Sequence, residues 1–254
     1  MNIFVLIKRT FDTEEKLVIR NGEVEEDGVE FIINPYDEYA IEEGILLREK
    51  HGGKVTVITL GDEEAEKQLR TALAMGADEA VLIDDEDLDD GDAWTTAKII
   101  AEYLEDKEPS IILAGNLAID GGSGQVGPLL AELLGINAVT TITKLAIEDN
   151  KASIERDVEG DQEIVEVPLP VLVTCQQGLN EPRYPSLPGI MKAKKKPLET
   201  LEIDDLDLEE LNSLVETIEV FLPEEKPEGR ILEGEVQQQV QELIGLLRSE
   251  AKII

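Results

Sequence analysis

The chain has 254 residues, 57 of them acidic against 23 basic, for a formal charge of −34. Such a charge repels phosphates and argues against nucleic acid and anionic membrane surfaces as partners. Apolar residues make up 42% but aromatic ones only 4%, so a real core must be built from Leu, Ile, Val and Ala; one cysteine, Cys175, excludes an internal disulfide or cysteine metal cluster, and one histidine, His51, leaves little room for His-dependent acid–base chemistry.

The first predicted element is a strand, "NIFVLIK" (2–8), near-continuously apolar. No basic region precedes it, no small-residue cleavage site follows it, and no apolar run approaches the ~20 residues of a membrane span. A cytoplasmic protein without direct membrane insertion is expected. "NPYDEYAIEEG" follows, where Pro35 cannot continue a strand and Asp37 either caps the helix behind it or faces a ligand. A helix over about 36–51 ends near His51, which suits a cation at a helix C-terminus.

Strand "KVTVITL" (54–60) leads to a helix over about 63–75 with Ala65, Leu69, Ala72 and Leu73 on one face. Strand "EAVLID" (79–84) runs into "DDEDLDDGD" (84–92), whose spacing does not fit a Ca²⁺ loop and reads as solvated. Trp94, Ala97, Ile100, Ala101 and Leu104 make the next helical stripe, followed by strand "SIILAG" (110–115). After Pro128, Leu129, Leu130, Leu133 and Leu134 mark a fourth helix, and "AVTTIT" (138–143) a fifth strand. Short apolar strands alternating with amphipathic helices predict an α/β fold: a doubly wound, mostly parallel sheet with helices on both faces.

Beyond residue 145 a hairpin is expected to turn near Glu159-Gly160-Asp161, with a strand at 170–175. Segment 178–197 then sets five basic residues (Arg183, Lys192, Lys194, Lys195, Lys196) among Pro182, Pro185 and Pro188, with Leu187 expected to face solvent. An acidic stretch (203–212), a Pro/Glu-rich linker (223–228) and an amphipathic helix complete the chain. Val236, Val240, Leu243, Ile244 and Leu247 share one face of that helix, and the pattern admits packing on a partner or back on the sheet.

Open α/β sheets bind ligands at the carboxyl ends of their strands. "AGNLAIDGGSGQVGP" (114–128) sits between a strand and a helix and contains Gly122-Ser123-Gly124-Gln125-Val126-Gly127, a literal G-x-G-x-x-G. It is a poor dinucleotide fingerprint, because it follows the fourth strand and Lys144 stands where a ribose-binding acid belongs. Glycine amides and a helix N-terminus still suit an anion, and a ligand-free tight turn is the alternative. With no Ser/His/Asp set, P-loop lysine or HxxEH pair, a nucleotide site here points to a carrier or regulatory module.

"FIINPYDEYAIEE" (31–43), "RTALAMGAD" (70–78), "AIDGGSGQVGP" (118–128), "ERDVEGDQE" (155–163) and "LNEPRYPSLPGIMKAKKK" (179–196) together resemble the β (small) subunit of electron transfer flavoproteins. The resemblance is collinear over essentially the whole chain. It implies an adenine-nucleotide-binding, Rossmann-like domain over 1–178 with its hairpin, a recognition loop over 179–197, and an acidic linker and helical arm over 198–254 that packs on an α subunit. It implies a non-catalytic electron carrier, the α subunit holding most of the FAD and this chain an AMP of structural role. The AMP residues it implies are Leu6, Asn34, Pro35, Tyr36, Asp37, Leu60, Gly115, Asn116, Ile119, Asp120, Gly121, Gly122, Ser123, Gly124, Gln125 and Val126.

The same resemblance makes Leu187 the anchor that docks acyl-CoA and related flavin dehydrogenases, with Tyr184, Pro188, Ile190, Met191 and Lys192 around it and the basic tail available for steering. Electrons would pass on to a membrane quinone oxidoreductase. Asp157, where some relatives have Glu, and Phe11 are implied contacts of the flavin domain. Members that bifurcate electrons hold a second FAD in this chain and carry an acid in the glycine turn, which "DGGSGQ" lacks. A stand-alone nucleotide sensor on the same sheet is the more distant alternative.

Overall fold

The apolar runs become the central strands of one sheet. The computed structural model describes every residue except 86, 87, 89, 90, 209, 210 and 225–227, so the predicted stretches 84–92, 203–212 and 223–228 lie partly outside the described residues. Two units form, Met1–Leu17 with Glu25–Ile218, and Val18–Val24 with Glu219–Ile254.

In chain order the elements are β1 (Asn2–Leu6), β2 (Arg9–Phe11), β3 (Ile19–Arg20), β4 (Glu23–Val24), β5 (Phe31–Ile33), α1 (Pro35–His51), β6 (Lys54–Leu60), α2 (Glu66–Met75), β7 (Glu79–Asp84) and α3 (Ala93–Leu104). There follow β8 (Ile111–Gly115), α4 (Val126–Leu133), β9 (Asn137–Glu148), β10 (Lys151–Val158), β11 (Asp161–Pro168), β12 (Val171–Cys175), α5 (Leu187–Ala193), β13 (Leu198–Glu202) and α6 (Val236–Ser249). The main sheet has the order β11-β10-β9-β12-β8-β1-β6-β7-β13. Strands β9, β12, β8, β1, β6, β7 and β13 are parallel, and β10 and β11 continue from β9 as antiparallel neighbours.

Side chains alternate across a strand, so each central strand feeds two cores. Ile3 and Val5 of β1 point with Val55, Val57 and Leu113 toward Ile41 and Ile45 of α1 and Leu69 and Leu73 of α2. Phe4 and Leu6 point the other way, with Ile58, Ile83 and Ile112, toward Ile99, Ile100 and Leu104 of α3 and Leu130 of α4. Each fully buried Ile or Leu contributes about 1.5–3 kcal/mol. The doubly wound architecture is therefore as expected, and Ala65, Leu69, Ala72 and Leu73 are buried as the spacing requires. On α3 the true inward positions include Ile99, while Trp94 and Ala101 are only half-buried.

Three elements differ from expectation. Strand β9 is twelve residues long. Its first half pairs with β12 and its second half with β10 through a second hairpin, whose turn holds Asp149 and Asn150 at φ 46° and 63°. Helix α4 begins at Val126, before Pro128, because proline is tolerated in a first turn. Strand β13 pairs in parallel with β7 at the sheet edge, so the first unit takes in residues that the sequence assigns to the C-terminal arm.

The second unit holds the β3–β4 hairpin, turned by Asn21 and Gly22 at φ 55° and 87°, and helix α6. Val236, Val240, Leu243 and Ile244 of α6 are all exposed. Among the described residues, no helix is long and apolar enough to cross a membrane.

Candidate functional site

From β1 the chain winds outward to β6 and β7, then returns to build β8 and β12 on the other side of β1. The order reverses between β1 and β8, and such a switch point leaves a crevice outside the strand ends. A cavity of about 370 Å³ lies there. Leu6, Leu60, Asn34, Asp37, 114–118 and 121–127 line one part; Asp92, which caps α3, and Thr96 and Ile100 within it line another.

Two side chains at the start of α1, Asn34 just before it and Asp37 in its first turn, brace this cavity. Asn34 Nδ2 donates to Leu117 O at 2.8 Å, and Asn34 Oδ1 accepts from Ile119 N at 3.2 Å. The Asp37 carboxylate accepts from Lys8 N (2.7 Å), Gly115 N (3.0 Å) and Asn34 Nδ2 (2.9 Å). It thereby ties the end of β1 to the end of β8. Asp37 is not the helix cap that the sequence offers as one reading; Asn34 occupies the N-cap.

Burial pushes the Asp37 carboxyl up to about 7, against the pull of its three N–H donors. The folded chain thus keeps a proton that an unfolded carboxyl, with pKa about 3.9, has already lost. This contribution to stability is complete below about pH 4 and is lost as pH rises through about 7. Calorimetric unfolding of wild type and Asp37→Asn over this range is expected to show the wild type losing stability relative to the variant as pH rises. A pH-independent difference would contradict it.

The glycine loop is shaped by close approach. A Cβ on Gly124, whose φ is +60°, would stand 3.1 Å from Asn116 O. A Cβ on Gly115 would stand 2.1 Å from Asp37 Oδ1. Gly121–Val126 line the cavity and lead into the positive end of α4, with the Gly121 and Gly122 amides donating to Asp120 Oδ1 and Ala118 O.

Of the residues named from sequence, Leu6, Asn34, Asp37, Leu60, Gly115, Asn116 and Gly121–Val126 line the cavity. Pro35, Tyr36, Ile119 and Asp120 do not. Pro35 opens α1, Tyr36 stands against Gly115, Ile119 holds Asn34, and Asp120 accepts from Gly121 N at 2.6 Å and pairs with Lys8 Nζ at 2.8 Å. Lys8, Asp92 and Thr96 were not anticipated. A lone cation directly after an apolar strand was the available signal for Lys8.

The other named residues lie outside this cavity. Phe11 packs its ring 4.8 Å from that of Phe31, which Arg9 covers on the guanidinium side at 3.5 Å. Asp157 is exposed on β10. In the 179–197 segment Tyr184 is 94% exposed, Leu187 80% and Met191 73%, while Ile190 is 44% exposed beside α2. Ser186 Oγ caps α5 by accepting from Gly189 N at 3.1 Å. Ahead of the basic tail Arg183 is paired with Glu42 and Glu49, and at its end Lys196 donates to the carbonyls of Leu73 and Ala77. Lys192, Lys194 and Lys195 remain exposed.

Residues 21–206 match the family described as the electron transfer flavoprotein domain. Over 257 aligned residues covering all of both chains, the sequence is 63% identical to the electron transfer flavoprotein subunit beta of Bacillus subtilis. The chain belongs to the electron transfer flavoprotein β-subunit family. Other members are 37% identical, the caffeyl-CoA reductase-Etf complex subunit CarD of Acetobacterium woodii over 99% of this chain and 98% of that one, and 36% identical, the mitochondrial β subunit of rice over the whole of both. An electron transfer flavoprotein β subunit is an electron-transfer component that works with flavin and an α subunit. Membership sets aside the stand-alone sensor.

Proposed function

We propose that this chain is the β half of a cytoplasmic electron carrier that takes electrons from acyl-CoA and related flavin dehydrogenases and delivers them to a membrane quinone reductase, and that it holds a structural AMP. The switch-point cavity carries the nucleotide reading. Its volume lies within the ~300–1,000 Å³ of small-molecule sites, and its wall at Gly115 and Gly124 is packed so closely on Asp37 and Asn116 O that only glycine fits. Ser123–Val126 and the start of α4 offer N–H groups suited to a phosphate, Leu6, Leu60 and Ile100 offer apolar walls for a base, and Lys8, paired with Asp120, stands at the rim.

FAD, held mainly by the α subunit, supplies the redox chemistry. This chain's residues make and break no bonds. Phe11 and Asp157 face the flavin domain, the exposed apolar side of α6 packs on the α subunit, and Leu187 with Tyr184, Pro188, Ile190, Met191 and Lys192 docks the dehydrogenases. A transient carrier needs such a small contact, because it must leave its partner at every turnover.

A second reading, an electron-bifurcating subunit with its own FAD, draws on the identity to a subunit of a caffeyl-CoA reductase-Etf complex. Acid-released nucleotides from the co-expressed α/β complex separate the two. One FAD and one AMP per heterodimer is the expected result; two FAD and no AMP would put the second reading in its place.

A further inference from the structure

Besides Asp37, two carboxylates of α1 are buried in a chain with acid to spare on its surface. Glu42 is 4% exposed and Glu43 7%. Burying a carboxylate is unfavourable unless its oxygens find charged or N–H partners. Both find them in the strand of chain that leads into Tyr184. Glu42 accepts from Arg183 Nε at 2.8 Å, from Arg183 Nη2 at 2.9 Å and from the Arg183 backbone N at 3.1 Å. Two turns further along the same helix face, Glu49 takes Arg183 Nη1 at 2.8 Å. Asn180 Nδ2 donates to Glu43 and to Tyr39 O, each at 3.0 Å. At the far end of the segment Arg70 Nη1 donates to Ala193 O and Lys196 O at 3.0 and 3.1 Å.

The segment is therefore fastened at both ends, while Tyr184, Leu187 and Met191 project into solvent between the fastenings. Ala193 and Leu179 seat the two ends of the segment on the core, and the polar clamps add direction to that burial. A guanidinium forked onto a carboxylate has a set geometry, which a single ammonium lacks.

We propose that Glu42 is a positioning residue for partner docking: its bidentate hold on Arg183, together with the bond to the Arg183 amide, fixes the angle at which Tyr184 and Leu187 leave the body. The proposal rests on the reading of 179–197 as the docking segment. It acts through pre-organisation, since a segment already held in its bound direction loses less freedom on association. Glu49 and Glu43 support the same hold from either side.

The test uses the co-expressed α/β complex, with its flavin reduced by a substrate-reduced acyl-CoA dehydrogenase at a series of dehydrogenase concentrations. Glu42→Gln is expected to raise the half-saturating concentration about tenfold while leaving the limiting rate, the bound flavin and nucleotide, and reduction by dithionite unchanged. Arg183→Lys supplies the same test in a protein whose Glu42 stays charge-paired, and a several-fold rise is expected because the fork is lost. In a Leu187→Ala background Glu42→Gln is expected to add little, because both changes act on one contact. Half-saturation within about twofold of wild type for both variants, or a full additional loss on top of Leu187→Ala, would overturn the clamp while leaving the docking reading intact. An unchanged Leu187→Ala would overturn the docking reading, and the clamp with it.

Discussion

Leu187→Ala is expected to slow electron transfer from a reduced acyl-CoA dehydrogenase by about ten- to a hundredfold at low partner concentration, with no change in flavin or nucleotide content. The magnitude follows from burial. Fully covering a leucine is worth about 1.5–3 kcal/mol, and every ~1.4 kcal/mol is a tenfold change in an equilibrium. The sign on stability is as informative. Leu187 is 80% exposed in the free chain, so its removal leaves no cavity and should change the unfolding free energy by no more than about 0.5 kcal/mol. A side chain that costs nothing to lose in isolation and much to lose in the complex has its partner outside this molecule. Stopped-flow flavin reduction, with calorimetry on the same samples, measures both quantities. Wild-type transfer rates in the variant would remove Leu187 as an anchor.

The central fold was legible because its strands are buried on both faces, and such strands must read as unbroken apolar runs. β13 was not legible for the complementary reason. "LETLE" at a sheet edge exposes both of its glutamates and looks like a continuation of the acidic tail. The second half of β9 alternates and reads as the start of a separate hairpin, so the sequence divides one twelve-residue strand in two. The glycine loop was visible as a motif, but Asp37 was not resolvable, since its donors come from the ends of two other strands. Glu42 and Glu43 show the limit most clearly. In "AIEEG" they look like the wet face of a helix, and they are buried because Asn180 and Arg183, remote in sequence, arrive to satisfy them.

That dependence on remote partners makes Gly115→Ala the most damaging single methyl in the site. The added Cβ would lie 2.1 Å from Asp37 Oδ1, 2.8 Å from Tyr36 Cβ and 3.0 Å from Asp37 N. None of these can yield alone. Moving the Asp37 carboxylate breaks its bonds to Gly115 N and Lys8 N, and moving Tyr36 shifts the first turn of α1. Overpacking and two orphaned amides together are expected to cost about 3–5 kcal/mol, which lowers the unfolding temperature by roughly 10 °C for a chain of this size. Because the same amides set the ends of β1 and β8, the co-expressed complex should also lose the nucleotide proposed for this cavity while keeping its flavin. Asp37→Ala in the Gly115→Ala background distinguishes the cause. With the carboxylate gone the clash is relieved, so the double variant should be less destabilised than the sum of the two single changes. Strict additivity would mean that the methyl is accommodated elsewhere and that the carboxylate is not what holds the two strand ends together.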